Sequence, residues 1–259
     1  MAETLPTVAE QRSLLNGGTQ RVRFENISMV FENGTQAIRD VSLSVDSGEF
    51  VSIVGPSGCG KSTLLRLASG LIRPSAGSVS VDDVTLGFVF QDATLMHWRT
   101  VAQNVDLLME LRRIPRAERA QRRDRAIDLV GLRGFEHNYP KHLSGGMKMR
   151  ASLARALTLE PEIFLFDEPF GALDEMTRER LNVELAAVFA TRKFAAMFVT
   201  HNIFEAVFMA SRVVVMSGRP GTILGEVEVP FGYPREPELR FDSEYTRITA
   251  HVSQILRGA

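Results

Sequence analysis

The chain has 259 residues, 44% of them hydrophobic and 24% charged, and its formal net charge is −1. That length suffices for one large domain or two small ones with a sizeable core, and the overall charge gives no sign of a nucleic-acid partner. The single cysteine, Cys59, excludes an internal disulfide and fits a reducing compartment, and no apolar run approaches the length of a bilayer span.

Residues 1–20 are polar, with Pro6 and the pair Gly17-Gly18, and read as a flexible tail; Glu3 and Glu10 argue against a signal peptide there. Val22 to Phe31 and Val41 to Val45 alternate apolar and polar residues on either side of Asn33-Gly34, so antiparallel strands are expected. Phe31 has two readings at this point: a core aromatic, which the periodicity favours, or an exposed ring able to stack on a base.

The run Phe50 to Val54 leads into Gly55-Pro56-Ser57-Gly58-Cys59-Gly60-Lys61-Ser62-Thr63, and a helical pattern follows from Leu64. Strand, glycine-rich loop and helix is the order that a phosphate-binding P-loop requires. Glycines let the backbone curl until its amides point inward, and the helix adds the positive end of its dipole, so a triphosphate finds donors already in place. Lys61 supplies a mobile positive charge and the Ser62 hydroxyl can ligate Mg²⁺. Chance gives this pattern in roughly one chain in a hundred of this length. Lys61 is moreover one of only four lysines, which weakens the reading of an incidental basic residue in a turn.

Downstream, Val79 to Val81 and Gly87 to Phe90 read as short strands, the second closing on Gln91-Asp92. Asn104 to Leu132 is helical in pattern, with a new helix opening at Pro115, and is rich in arginine. A solvated face and a basic face toward lipid or nucleic acid both remain open for it, the first favoured. Leu143-Ser144-Gly145-Gly146-Met147 precedes a helix from Lys148 to Leu159: Ser144 suits an N-cap, and the paired glycines expose amides that make a second anion site. One nucleotide needs only one such cradle per chain.

Ile163 to Phe166 is wholly apolar, as in a central parallel strand, and ends in Asp167-Glu168. Two carboxylates at the end of a buried strand are poor packing without a task. Asp167 would reach Mg²⁺, and Glu168 would polarise an attacking water. A helix from Glu175 to Ala190, a strand from Ala196 to Thr200 closed by His201, and strands at Val213 to Met216 and Ile223 to Val229 complete the pattern. The polar residues thus gather at strand exits, where open α/β sheets bind ligands. Pro230 to Pro237 reads as irregular and Ser243 to Leu256 as a short helix.

Taken in order, the P-loop, Gln91, Leu143 to Met147, Ile163 to Glu168, Ala172-Leu173-Asp174 and His201 resemble the ATP-binding subunit of ABC transporters, over nearly the whole chain from Val22 onward. The resemblance implies an α/β P-loop NTPase fold with a mostly parallel core sheet, an antiparallel β-subdomain and an inserted α-helical subdomain. It implies an ATPase domain over residues 21–229, its helical subdomain at about 92–160, and a C-terminal tail over 230–259. ATP and Mg²⁺ are the implied cofactors. Ser62, Gln91 and Asp167 would hold the metal, Glu168 would act as general base, and Gln91 and His201 would sense the γ-phosphate. Phe31 stands where a tyrosine is usual, which keeps base stacking. Ser144, Gly145 and Gly146 would cap the nucleotide of a second copy, so two chains would sandwich two ATP molecules.

Leu143 to Met147, Asp167 to Asp174, His97-Trp98-Arg99 and Arg235-Glu236-Pro237 resemble the subgroup that imports nitrate, sulfonates, taurine and related small solutes. The implied partners are transmembrane permease subunits and, indirectly, a solute-binding protein, at the cytoplasmic face of the plasma membrane, with no nucleic acid. A soluble ATPase of the same superfamily acting on DNA or ribosomes is the rival; such proteins carry long coiled coils or fused cassettes, and this chain has neither. Met147 for glutamine, Asn202 for aspartate and a short segment between Gly77 and Gln91 depart from the family pattern without removing a group the chemistry needs.

Overall fold

The computed structural model describes residues 19–258. The tail expected over residues 1–20 lies outside them except for Thr19 and Gln20, and Gln20 already opens the first strand.

Strands β1 (Gln20–Val30) and β2 (Gln36–Asp46) form a hairpin, and β4 (Ala76–Val81) joins β1 to give a three-stranded antiparallel sheet in the order β2-β1-β4. The second sheet has six strands: β5 (Leu86–Val89), β6 (Ile163–Asp167), β7 (Ala195–Val199), β3 (Phe50–Val54), β8 (Arg212–Met216) and β9 (Ile223–Glu228), in that spatial order. All neighbours are parallel except β9, which pairs antiparallel with β8.

β3, β6, β7 and β8 are buried at every residue, so their period of two divides two cores instead of separating core from solvent. Phe50, Phe164, Phe166 and Phe198 face one side, with the Phe50 and Phe189 rings edge to face at 5.2 Å. Val51, Ile53, Leu165, Met197 and Val214 face the other, against the antiparallel sheet and helix α1 (Lys61–Ala68).

Helices α2 (Val101–Leu111), α3 (Arg116–Leu129) and α4 (Gly145–Leu157) lie between β5 and β6 in sequence and pack on one another. The break at Pro115 is where the sequence places it. Much of the arginine-rich stretch is paired: Arg119 with Glu110, Arg122 with Glu118, and Arg123 with Asp106 and Asp124. Helix α5 (Glu175–Arg192) follows β6, and a short helix α6 (Ile203–Met209), absent from the sequence reading, follows β7. No helix among the described residues is long and apolar enough to cross a membrane.

The segment after residue 229 is stitched into the fold. Helix α7 (Ser243–Arg257) buries Tyr245, Ile248 and Val252 in the phenylalanine-rich core. Arg235 is 2% exposed, and its guanidinium donates to the carbonyls of Val207 (2.8 Å), Phe208 (2.7 Å), Ala210 (2.8 Å) and Phe231 (3.0 Å). These include carbonyls at the end of α6 that no further helical turn can satisfy, and a cation there also meets the negative end of the helix. The Arg235→Met variant leaves them without donors in a dry site. It should lose about 3 kcal/mol or more of stability, read as a lowered urea midpoint; a loss below about 1 kcal/mol contradicts this account.

Candidate functional site

β3 ends at Val54, and the chain curls through Gly55 to Gly60 before α1 begins. Gly58 and Gly60 have φ of +74° and +102°, the left-handed region that glycine enters freely. A Cβ on Gly60 would lie 2.8 Å from Ile38 Cγ1 and 2.9 Å from the Ala37 carbonyl, so no other residue fits against β2. Gly60 is also the N-cap of α1 and offers no side-chain acceptor, which leaves the first amides of the helix for an anion. Lys61 is 5% exposed; its Nζ donates to the carbonyls of Gly55 (2.8 Å) and Pro56 (2.9 Å). Cys59 is wholly buried, its Sγ 3.8 Å from that Nζ.

The Ser62 hydroxyl donates to Asp167 Oδ1 at 2.7 Å, joining α1 to the end of β6. Burial pushes the Asp167 carboxyl above the usual carboxylate range; the Ser62 bond opposes the rise and the charge of Glu168 adds to it. Glu168 sits at φ +47°, a left-handed conformation that costs a non-glycine residue about 1 kcal/mol or more. Its amide donates to the Val199 carbonyl (2.9 Å), and its Oε2 lies 3.0 Å from His201 Nδ1. Strain of this kind, held by a bond to the neighbouring strand, aims a side chain at a chosen point.

One cleft of about 330 Å³ collects Ser57, Gly58, Gly60, Lys61, Ser62 and Thr63 of the loop. Phe31, Gln91 and Glu168 line the same cleft. Phe31 is half-buried and packs partly on the second core, so both of its readings describe it. Gly55 and Pro56 act through their carbonyls on Lys61, and Asp167 through Ser62. Ser144, Gly145 and Gly146 do not line the cleft. The Ser144 Oγ accepts from the Met147 amide (3.2 Å) as the N-cap of α4, and a Cβ on Gly146 would come 2.7 Å from Leu173 Cδ2. Arg66 and Arg219 also line the cleft, and the sequence reading missed both.

The ABC transporter family profile matches residues 38–171, more than half of the chain. The chain belongs to the ABC transporter family. It is 43% identical over 212 residues to a nitrate import ATP-binding protein of Synechococcus elongatus, covering 78% of this chain and 77% of the relative. It is 42% identical over 210 residues to an aliphatic sulfonates import ATP-binding protein of Bacillus licheniformis (78% and 80% covered), and 40% identical over 206 residues to a taurine import ATP-binding protein of Yersinia pestis (77% and 81%). Among solved structures, a dimeric bacterial ABC transporter cassette superposes with a TM-score of 0.75 at 31% identity, over 82% of this chain and all of that one. A second structure of that cassette, in a post-hydrolysis state with ADP and phosphate, superposes equally well at 30% identity.

In this ABC cassette the turn that carries His201 is fixed from behind by Glu205. The Thr200 hydroxyl donates to Glu205 Oε2, the Asn202 amide to Thr200 Oγ1 (3.1 Å), and the Glu205 amide to Asn202 Oδ1 (3.1 Å), closing a ring under the histidine. Glu205 Oε1 has no hydrogen-bond partner among the described residues. Burial pushes the Glu205 carboxyl up to about 7; the Thr200 bond and the charges of Arg178 and His201 oppose this, and Glu168 adds to it. The folded chain therefore holds this proton more tightly than the unfolded chain, and stability present at low pH is lost as pH rises through about 7. The Glu205→Gln variant keeps an acceptor for Thr200 and has no charge to bury. Its thermal stability relative to wild type should rise between about pH 4.5 and 7 and level off above, by up to about 3 kcal/mol; a pH-independent difference contradicts the assignment.

Proposed function

We propose that this chain is the ATP-hydrolysing subunit of an importer for a small solute of the nitrate, sulfonate or taurine kind. The observation that carries the reading is that the P-loop and Glu168 line one cleft, while Ser62 of the loop is bonded to Asp167 and Glu168 contacts His201. The loop amides and Lys61 bind the phosphates, and Phe31 offers its ring to the base. Glu168 takes the proton of the attacking water, while His201 holds the Glu168 carboxylate in place through its Nδ1 contact.

The donor set suits Mg²⁺: a hydroxyl and a carboxylate oxygen 2.7 Å apart are hard ligands, and Gln91 adds a carbonyl. No cluster of three His, Cys, Asp or Glu side chains exists among the described residues, so such an ion takes most of its remaining ligands from phosphate and water. When bound, it neutralises phosphate charge that builds during the transfer.

Ser144 and Gly146 serve the cleft of a second copy, which explains an exposed, glycine-rich helix start that does not line this chain's own cleft. Two chains then form two composite sites. The assembly sits on the cytoplasmic face of the plasma membrane, bound to permease subunits through the stretch from Gln91 to Thr100, with a solute-binding protein delivering cargo on the other side.

The Mg²⁺-dependent ATPase activity of wild type should rise per molecule with protein concentration. Glu168→Gln should lose about a hundredfold or more in rate while still binding ATP, and Ser144→Arg should abolish the concentration dependence. Activity that is independent of concentration and unharmed by Ser144→Arg would sink the composite-site reading, and a fully active Glu168→Gln would sink the assignment of the base.

A further inference from the structure

The nucleotide cleft holds a cation that the P-loop motif does not predict. Arg219 lies in the turn between β8 and β9, more than 150 residues after the loop it touches, and its Nε donates to the Gly58 carbonyl at 3.1 Å with a sequence separation of 161. Its Nη2 stands 2.9 Å from where a Cβ of Gly58 would be, so the guanidinium lies directly on the P-loop and fills the space that glycine leaves. The side chain lines the same cleft as Lys61, Ser62, Thr63 and Phe31.

Two features separate Arg219 from an ordinary surface arginine. Its turn is locked: the Gly221 amide donates to the Ala37 carbonyl (2.9 Å), the Arg39 amide donates to the Gly221 carbonyl (3.0 Å), and a Cβ on Gly221 would lie 2.0 Å from the Cys59 carbonyl. The arginine is thus presented from backbone tied to β2 and the P-loop together, and little ordering remains for a ligand to impose. Second, Arg219 forms no ion pair among the described residues, a state it shares with Arg66 of the same cleft and with other arginines, but here the unneutralised guanidinium lies on the P-loop itself. The cleft lining carries Lys61, Arg66 and Arg219 against a single carboxylate, Glu168, a balance that suits a polyanion.

We propose that Arg219 is a further nucleotide-binding residue, whose free guanidinium N–H groups donate to the polyphosphate held by the P-loop while its Nε holds the Gly58 carbonyl. This rests on the reading of the cleft as an ATP site. Arginine suits the task because its planar, permanently charged fork can hold a backbone carbonyl with one edge and a phosphate with another.

The test compares binding of fluorescently labelled ATP and of similarly labelled adenosine by wild type, Arg219→Gln, Arg219→Lys and Lys61→Ala, each over a series of KCl concentrations. Glutamine retains an N–H donor for Gly58 and removes the charge. Arg219→Gln should weaken ATP about tenfold or more, leave adenosine unchanged and flatten the salt dependence of ATP binding, and Arg219→Lys should restore part of both. ATP binding by Arg219→Gln within twofold of wild type, with an unchanged salt slope, overturns the proposal and leaves Arg219 a loop anchor. Equal weakening of ATP and adenosine overturns it as well, because the effect then bypasses the phosphates. Lys61→Ala separates the two levels of argument: if wild type binds no ATP, or Lys61→Ala binds it as well as wild type, the site reading fails, whereas a normal Lys61 effect with a silent Arg219→Gln fails only the inference.

Discussion

The hydrogen bond from Ser62 to Asp167 joins residues 105 apart in sequence, and the site depends on it. It forms because Ile53, Val199 and Asp167 lie in one row across three parallel strands: Ile53 pairs with Val199, and Val199 with Asp167. Just past that row the three chains leave the sheet, β6 at Glu168 and β7 at the Thr200-His201 turn one residue on, and β3 at Gly55 two residues on, after Val54 has paired with Val215. Parallel strands are staggered by whole residues, and a slip of one would turn Asp167 to the opposite face. The two-sided burial of β3, β6 and β7 is what forbids the slip, since each face meets a different core. The phenylalanine stack on one side and the aliphatic layer on the other are therefore part of the catalytic geometry.

The sequence made the local half of this arrangement readable and left the long-range half dark. Gly55 to Thr63 announces its own conformation, because a helix start after a run of glycines needs no tertiary partner to be recognised. Asp167-Glu168 was visible as a conflict between two charges and a wholly apolar strand. Phe31 shows the limit of periodicity, which can say that a ring belongs to a face but cannot say that the face ends at a cleft. Gly146 carries a packing duty against Leu173 that no motif suggests, beside any part it plays toward a second copy.

The roles of Arg235, Glu205 and Arg219 have no signature in the sequence: Arg235 and Arg219 act on backbone contributed by distant parts of the chain, and Glu205 acts on the Thr200 hydroxyl inside one turn. Arg235 satisfies carbonyls of α6 and its exit, Glu205 steadies Thr200 below the histidine, and Arg219 crosses from the last hairpin to Gly58. A Ser-Gly-Arg-Pro-Gly-Thr run reads in sequence as a turn and nothing more. Its destination follows only once β8 lies beside β3, which brings the β8 exit next to the P-loop. The residues from 230 onward likewise read as a tail because their few apolar positions have meaning only against α6 and the sheet.

The stretch after Gln91 shows how the cleft can act at a distance. Its residues from 91 to 100 carry almost no regular structure, yet their backbone is held at both ends. Asn104, wholly buried in α2, accepts from the Met96 amide (2.7 Å) and donates to the carbonyls of Met96 (3.1 Å), Arg99 (3.0 Å) and Thr100 (3.0 Å). Arg155 of α4 donates to the Thr94 carbonyl (2.9 Å) and hydroxyl (2.9 Å) and to the Ala93 carbonyl (3.3 Å). Buried polar groups satisfied in this way resist independent motion, because each bond broken in a dry site leaves an unpaired partner. The backbone from Ala93 to Thr100 is therefore tied to α2 through Asn104 and to α4 through Arg155, and Ser144 caps the start of α4. Trp98, 72% exposed, rides on the same loop. One body of structure thus links Gln91 on the cleft, the start of α4 and the outward-facing indole, which is the mechanical condition for the proposed coupling of the cleft to another protein's surface.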